Sequence, residues 1–171
     1  MSKLLSQVTI DTPLHPLRIH FDQHSLHFAS FVRSNKDTTI VHPEHKGFRK
    51  QIEQWISNYF HRKPIPQIPV NLSKQTTFQR EVLHELLNIE FGQTISYKEL
   101  ALRTGRPNAS RAVGSVMATN PILLFIPCHR VIQSSGHYGA YSGFGGVESK
   151  QHLLDFEANK HHFDNELVNF R

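Results

Sequence analysis

The run Phe125-Ile126-Pro127-Cys128-His129-Arg130-Val131-Ile132 constrains this chain more than any other stretch, because it asks the backbone for two incompatible things. Its apolar ends read as a buried strand, yet Pro127 has no N–H to give a sheet ladder, so regular pairing must stop at Cys128. A break of that kind suits a side chain presented into a pocket. Cys128 is the only cysteine present, and a lone cysteine is most often a small buried hydrophobe. Its neighbours favour a nucleophile instead. His129 is a base one residue away, and Arg130 is a positive charge expected to favour thiolate over thiol. Adjacent side chains of a regular strand point to opposite faces, so His129 could reach the sulfur only through a local turn or a bridging water, and the water is expected.

Composition narrows the class. A chain of 171 residues can bury a real core and fits one large domain or two small ones. One cysteine excludes an intramolecular disulfide and a multi-cysteine zinc cluster, and a lone thiol is best kept in a reducing compartment. The net charge of +5, with a pI near 9.5, supports an anionic partner without proving one. Met1 to Gln7 lacks the apolar core of a signal peptide, and no later run is long enough to span a bilayer. The expectation is a soluble, cytoplasmic protein (nuclear if the source is eukaryotic) with no membrane partner.

The first part reads as a small α+β domain. Leu17, Ile19 and Phe21 alternate with polar residues, Asp22 to Ser25 makes a turn, and Leu26, Phe28 and Val32 resume the pattern. A second turn at Ser34 to Asp37 precedes Thr38-Thr39-Ile40-Val41, which predicts a three-strand antiparallel meander over these segments. From Gly47, Phe48, Ile52, Trp55, Ile56 and Tyr59 recur at helical spacing, so a helix of about four turns should lay its apolar stripe on that sheet. Pro64, Pro66 and Pro69 then make a stiff extended connection. His42-Pro43-Glu44-His45 has a spacing open to a metal, but Pro43 and the turn-like context favour solvated histidines, and no metal is expected.

The boundary falls at residue 75, leaving a second domain over 76–171. Thr76 and Gln79 form a capping box ahead of Phe78, Val82, Leu83 and Leu86, with Phe91-Gly92 closing the segment. Ser96 to Glu99 is another capping box, opening a short helix to about Thr104. Gly105-Arg106-Pro107 turns the chain, Asn108 is placed to cap the next helix, and Asn120-Pro121 stops it. Helix, glycine turn, helix is a helix-turn-helix signature. The second helix is odd for a reader of base sequence: Ala109, Ser110, Ala112, Gly114, Ser115 and Ala118 are small, and Arg111 is its one long cation. Such a helix could be packed between two others, or its small face could lie against DNA with Arg111 entering a groove. After the cysteine, Gln133 to Gly136 turns the chain, and His137 to Gly143 is a glycine-punctuated loop containing Tyr141 and Ser142. A last helix from Gly146 carries Val147, Leu153, Leu154 and Phe156; Glu157 lies four residues after Leu153 and three after Leu154, so it either shares the buried side and needs a partner, expected to be His129, or sits at the edge of the stripe in water.

Ile126-Pro127-Cys128-His129-Arg130-Val131, reinforced by Ile95-Ser96-Tyr97, Arg111-Ala112-Val113-Gly114, Asn120-Pro121 and Tyr141-Ser142-Gly143, resembles the O6-alkylguanine-DNA alkyltransferase family, also called methylated-DNA-protein-cysteine methyltransferases. The likeness is strong from about Thr76 to Glu157 and general in layout before that. It implies a ribonuclease-H-like first domain and a mainly helical, winged helix-turn-helix-like second domain. It implies a partner, double-stranded DNA containing O6-alkylguanine and possibly O4-alkylthymine, no cofactor, and a monomer in solution. The catalytic set would be Cys128, His129 and Glu157, with Asn120 bracing the active-site turn. Tyr97, the Val131 carbonyl and the Ser142 backbone N–H would bind the base, Arg111 would fill the space left by a flipped nucleotide, and Lys98, Arg106 and Ser134 would lie near phosphates. Two departures stand out: Phe144-Gly145-Gly146 lengthens the path from Ser142 to Glu157, and His137-Tyr138 places bulk in the pocket loop. Outside the resemblance, thiolate, imidazole and carboxylate could also make a cysteine hydrolase, and a lesion-recognition protein that transfers nothing is the other competing class.

Overall fold

A computed structural model of the chain describes residues 4–36 and 39–160. The described residues fall in two compact units, one ending at Asn71 and the other beginning at Leu72. Thr38, part of the expected third strand, and the tail from residue 161 lie outside the described residues.

In the first unit, β1 (Ser6–Ile10), β2 (Leu17–Phe21) and β3 (Leu26–Phe31) form an antiparallel sheet in the order β1-β2-β3. Val8 faces Ile19 across the first pair, and Ile19 faces Ala29 across the second, all three buried. Helix α1 (Lys46–Phe60) buries Phe48, Ile52, Trp55, Ile56 and Tyr59, and Phe48 meets Phe21 of the sheet at a ring separation of 6.2 Å. Asp22 makes the turn between β2 and β3: its Oδ1 accepts from the backbone N–H groups of His24 and Ser25 at 2.7 and 2.9 Å.

The third strand corrects the sequence reading. The sheet takes it from Ser6–Ile10, while Ile40 makes only an isolated bridge to Gln7. A polar residue at an inward position hid the strand. Ser6 is fully buried, with its hydroxyl engaged by His45 Nδ1 at 2.9 Å and by the His42 backbone N–H at 3.0 Å. That contact also commits His45. Among the described residues no group of three His, Cys, Asp or Glu side chains could hold a metal ion.

The second unit is mainly helical. Helix α2 (Thr77–Leu86) starts at a complete capping box: Thr76 accepts from the Gln79 N–H and the Gln79 side chain accepts from the Thr76 N–H. The two-residue strand β4 (Ile95–Ser96) runs straight into α3 (Tyr97–Arg103), where Ser96 accepts from the Glu99 N–H at 3.0 Å. Glu99 does not complete that box and bonds Arg103 instead. Helix α4 (Ser110–Ala118) starts at Ala109 without a side-chain cap, so Asn108 does not serve as expected. Strand β5 (Val131–Ile132) pairs in parallel with β4, Ile95 opposite Val131, and α5 (Gly146–Glu157) closes the unit. Val82, Leu83, Leu86, Leu100, Val113, Val116 and Leu153 form its core. The whole is thus a mixed α+β chain, a small antiparallel sheet with the rest mostly helical. Among the described residues no helix is long and apolar enough to cross a membrane.

The capping box gives a direct test. Thr76→Ala removes one orphan-donor partner, and urea unfolding should report a loss of about 1 kcal/mol.

Candidate active site

Asn120, at the end of α4, shapes the approach to the cysteine. It is buried, its Nδ2 donates to the Ile126 carbonyl at 2.9 Å, and its Oδ1 accepts from the Ile122 N–H at 3.1 Å. One amide therefore staples the loop between them. Within that loop Leu124, although a bulky buried residue, has φ +71, a conformation that costs a side chain energy and persists only where its surroundings enforce it.

Pro127 then breaks the extended chain as expected, but into a 3-10 turn over Cys128–Arg130. The Cys128 N–H donates back to Ile126 at 2.8 Å and the Arg130 N–H to Pro127 at 2.9 Å. Opposite-face alternation no longer applies. Cys128, His129 and Arg130 are all buried, at 3, 0 and 7% exposure, which for an adjacent His-Arg pair demands partners.

Glu157 supplies them. His129 Nε2 lies 2.7 Å from its Oε1, and Arg130 forks onto it, Nε to Oε2 and Nη2 to Oε1, both at 2.9 Å. The Gly92 N–H adds a bond to Oε2 at 3.1 Å. Burial alone would raise the Glu157 pKa, but the His129 ring and the Arg130 guanidinium together hold it well below the ordinary carboxylate range. Burial lowers the pKa of His129 despite the carboxylate beside it, so its imidazole is neutral. An ionised carboxylate only accepts, so Nε2 must carry the ring proton. Nδ1 is left as a buried acceptor with no hydrogen-bond partner in the protein. That is the state a general base needs.

Arg130 corrects the sequence reading in one respect. Its charge is spent on Glu157, and the cation that acts on the sulfur is Lys150 of α5. Burial pushes the Cys128 thiol up to about 11, opposed by a hydrogen bond from the Asn120 side chain and by the Lys150 charge. Lys150 is fully buried, and its Nζ donates to the Val131 carbonyl at 2.7 Å and the Ala140 carbonyl at 3.4 Å. The sequence reading missed it. The same rule that picked out Glu157 finds it, since Lys150 lies three residues before Leu153 and four before Leu154.

Tyr97 begins α3 and flanks the site. Lys150 Nζ lies 5.9 Å from its ring centre, and its hydroxyl lies 3.1 Å from where a Cβ on Gly139 would sit, so the pocket loop needs glycine there. Burial first, then Cys128, raises the pKa of Tyr97, which keeps the phenol protonated. Tyr141 lies near the same sulfur, its pKa raised well above the ordinary phenol value by burial and then by Cys128, and its hydroxyl is buried without a partner.

Of the other residues singled out, Arg111 is exposed on α4. The small residues Ala112, Ser115 and Ala118 share that exposure, while Val113, Val116 and Met117 face the core, so α4 is not sandwiched between neighbours. Lys98, Ser134 and Ser142 are exposed as well. Arg106 is committed to Glu81 and stacks over Phe78 at 5.0 Å. Tyr97, Val131, Asn120, His129 and Glu157 are therefore brought together around Cys128, and Ser142 follows Tyr141 in the pocket loop.

Comparison with known proteins adds to the geometry. The family described as "6-O-methylguanine DNA methyltransferase, DNA binding domain" matches residues 77–159. A methylated-DNA–protein-cysteine methyltransferase of Rattus norvegicus is 36% identical over 90% of this chain and 82% of its own length. One of Methanosarcina barkeri is 34% identical over 88% of this chain and 95% of its own. Among solved structures, Mycobacterium tuberculosis OGT in complex with DNA superimposes with a TM-score of 0.76 at 32% identity, covering 95% of this chain and 98% of that one.

Arg130→Met would leave a buried carboxylate with half its partners, a change that costs about 3 to 5 kcal/mol at neutral pH. Because folding lowers the pKa of Glu157, its contribution is complete above the unfolded value near about 4.3 and is lost as pH falls through the folded value. Denaturant titrations of wild type and variant should therefore differ most at neutral pH and converge in acid.

Proposed function

The chain belongs to the methylated-DNA–protein-cysteine methyltransferase family, and from that premise we propose that it repairs DNA by moving an alkyl group from O6-alkylguanine onto Cys128, once per molecule. The observation that carries this reading is the buried lone cysteine beside a neutral imidazole whose Nε2 is tied to Glu157 and whose Nδ1 is unpartnered.

The thiol proton passes through a water to His129 Nδ1, and Glu157 stabilises the imidazolium that results. The thiolate attacks the alkyl carbon in line: an S–C bond forms, and the C–O bond breaks with its electron pair going to the guanine oxygen. Tyr97, still protonated, donates to that oxygen as charge develops, and the Ser142 N–H lies on the same side. The Cys128 and Val131 carbonyls receive the guanine amino group. One proton leaves the thiol and one is gained by guanine, so the exchange is neutral overall. The product thioether has no acyl carbon for water to attack, which makes the step irreversible and separates it from hydrolase chemistry.

The reacting atom is out of reach inside a duplex, so the base must be flipped. The exposed small face of α4 fits closely against a groove, with Arg111 filling the gap in the stack and Lys98 and Ser134 near phosphates. Arg106 joins them only by leaving Glu81. In this reading residues 76–171 form a winged helix-turn-helix-like domain, 1–75 a ribonuclease-H-like domain, and the protein acts as a monomer. The same pocket would admit O4-alkylthymine, and the thiol requires a reducing compartment.

Intact mass after mixing with a duplex containing O6-methylguanine is the test. One methyl group should appear on wild type and none on Cys128→Ala; tight binding without any gain in mass would mark a lesion-recognition protein instead. Arg111→Ala should slow transfer from the duplex by roughly 10- to 100-fold, since flipping costs a few kcal/mol. Its rate with free O6-benzylguanine, which needs no flipping, should be unchanged in the same stopped reaction.

A further inference from the structure

Lys150 is a fully buried charged side chain of the second unit. An ammonium at 0% exposure has lost its hydration, and its hydrogen bonds go to two carbonyls, Val131 and Ala140, and not to a carboxylate. A methionine would fill the same space without that cost. Around it stand Tyr97, Cys128 and His129, and beyond His129 the charges of Glu157 and Arg130 oppose one another. The groups that act electrostatically on the sulfur or are acted on by it are Asn120, Lys150, Tyr97 and Tyr141. Asn120 is neutral and both phenols are protonated, so among these groups Lys150 is the one positive charge acting on it, and its Nζ is held at the Val131 carbonyl, where the Cys128 turn ends.

We propose that Lys150 is a positioning residue for alkyl transfer: its ammonium, fixed by the Val131 and Ala140 carbonyls, is the counter-charge that the Cys128 thiolate meets when it forms. The proposal rests on the transferase reading above and adds a residue to it. The ammonium keeps its own proton throughout; the thiol proton goes to His129, as before. The same charge disfavours a cationic His129, so the imidazole stays a base until a thiolate appears to offset it. Burial lowers the pKa of Lys150 to about 8, and Cys128 works against that shift, so the ammonium persists at neutral pH. Above that range the counter-charge disappears. The tether to Ala140 also gives the pocket loop a fixed point beside Tyr97.

The test is the pH profile of Cys128 alkylation by iodoacetamide, which needs neither DNA nor transfer. Below about pH 8, where Lys150 is charged, Lys150→Met should slow the reaction roughly tenfold; above it, where wild type has lost the same charge, the two rates should converge. Lys150→Gln keeps a donor for the carbonyls and lacks the charge, so it should slow the reaction as much below that pH. Lys150→Arg keeps the charge and should bring the rate back towards wild type. With a methylated duplex, single-turnover rates should fall in the Met and Gln variants while the duplex dissociation constant holds. Should Lys150→Met fail to fold, the Gln and Arg pair carries the comparison. Rates in the Met or Gln variants equal to wild type below about pH 8 would overturn the proposal and leave Lys150 a structural tether. Alkylation slowed below about pH 8 by loss of Lys150, in a protein that takes no methyl from DNA, would keep the Lys150 role and remove the transferase reading.

Discussion

A buried carboxylate holds the second unit to one arrangement. Glu157, at the end of α5, would be ruinous where it lies without its four donors, and those donors come from two separate stretches: Gly92 after α2, and His129 with Arg130 of the turn. Arg130 extends the network by donating to the Ile89 carbonyl. The satisfaction of one charge thus fixes where α5 ends, which way the imidazole points and which of its nitrogens is protonated. Stability and reactivity depend here on the same bonds.

Much of this was legible in the chain itself. Pro127 announced the break at Cys128, and the helical phase of Glu157 against Leu153 and Leu154 placed its carboxylate indoors. The capping box at Thr76 and Gln79 marked its helix start within a residue. What escaped has a common cause, namely polar groups satisfied by residues distant in sequence. Ser6 sits where a strand pattern calls for an apolar side chain, and its partner His45 is 39 residues away. Arg130 reads as a cation for its neighbour until Glu157, 27 residues on, claims it. Lys150 obeys the same helical phase as Glu157, yet a lysine on an apolar face is ordinarily read as reaching out to solvent. Asn108 failed as a cap for a more local reason: the helix begins one residue later than the motif assumes, at a backbone turn that needs no side chain.

The nucleophile also sits just downstream of the least comfortable backbone in its unit. Leu124 holds a left-handed conformation inside a loop clamped by both ends of Asn120. Two amide bonds and a packed side chain keep the loop where relaxation would draw it away. Replacing Asn120 would therefore release stored strain as well as two hydrogen bonds, so its effect should not be read as a contribution to chemistry alone.

The outward face of α4 has a thermodynamic meaning of its own. Ala112, Ser115 and Ala118 have almost no rotamers to lose, whereas a face of lysines or glutamines would forfeit freedom at every position once another surface covered it. A complex formed on this face begins with its ordering cost largely removed, and Arg111 is the single long side chain on which any such penalty falls.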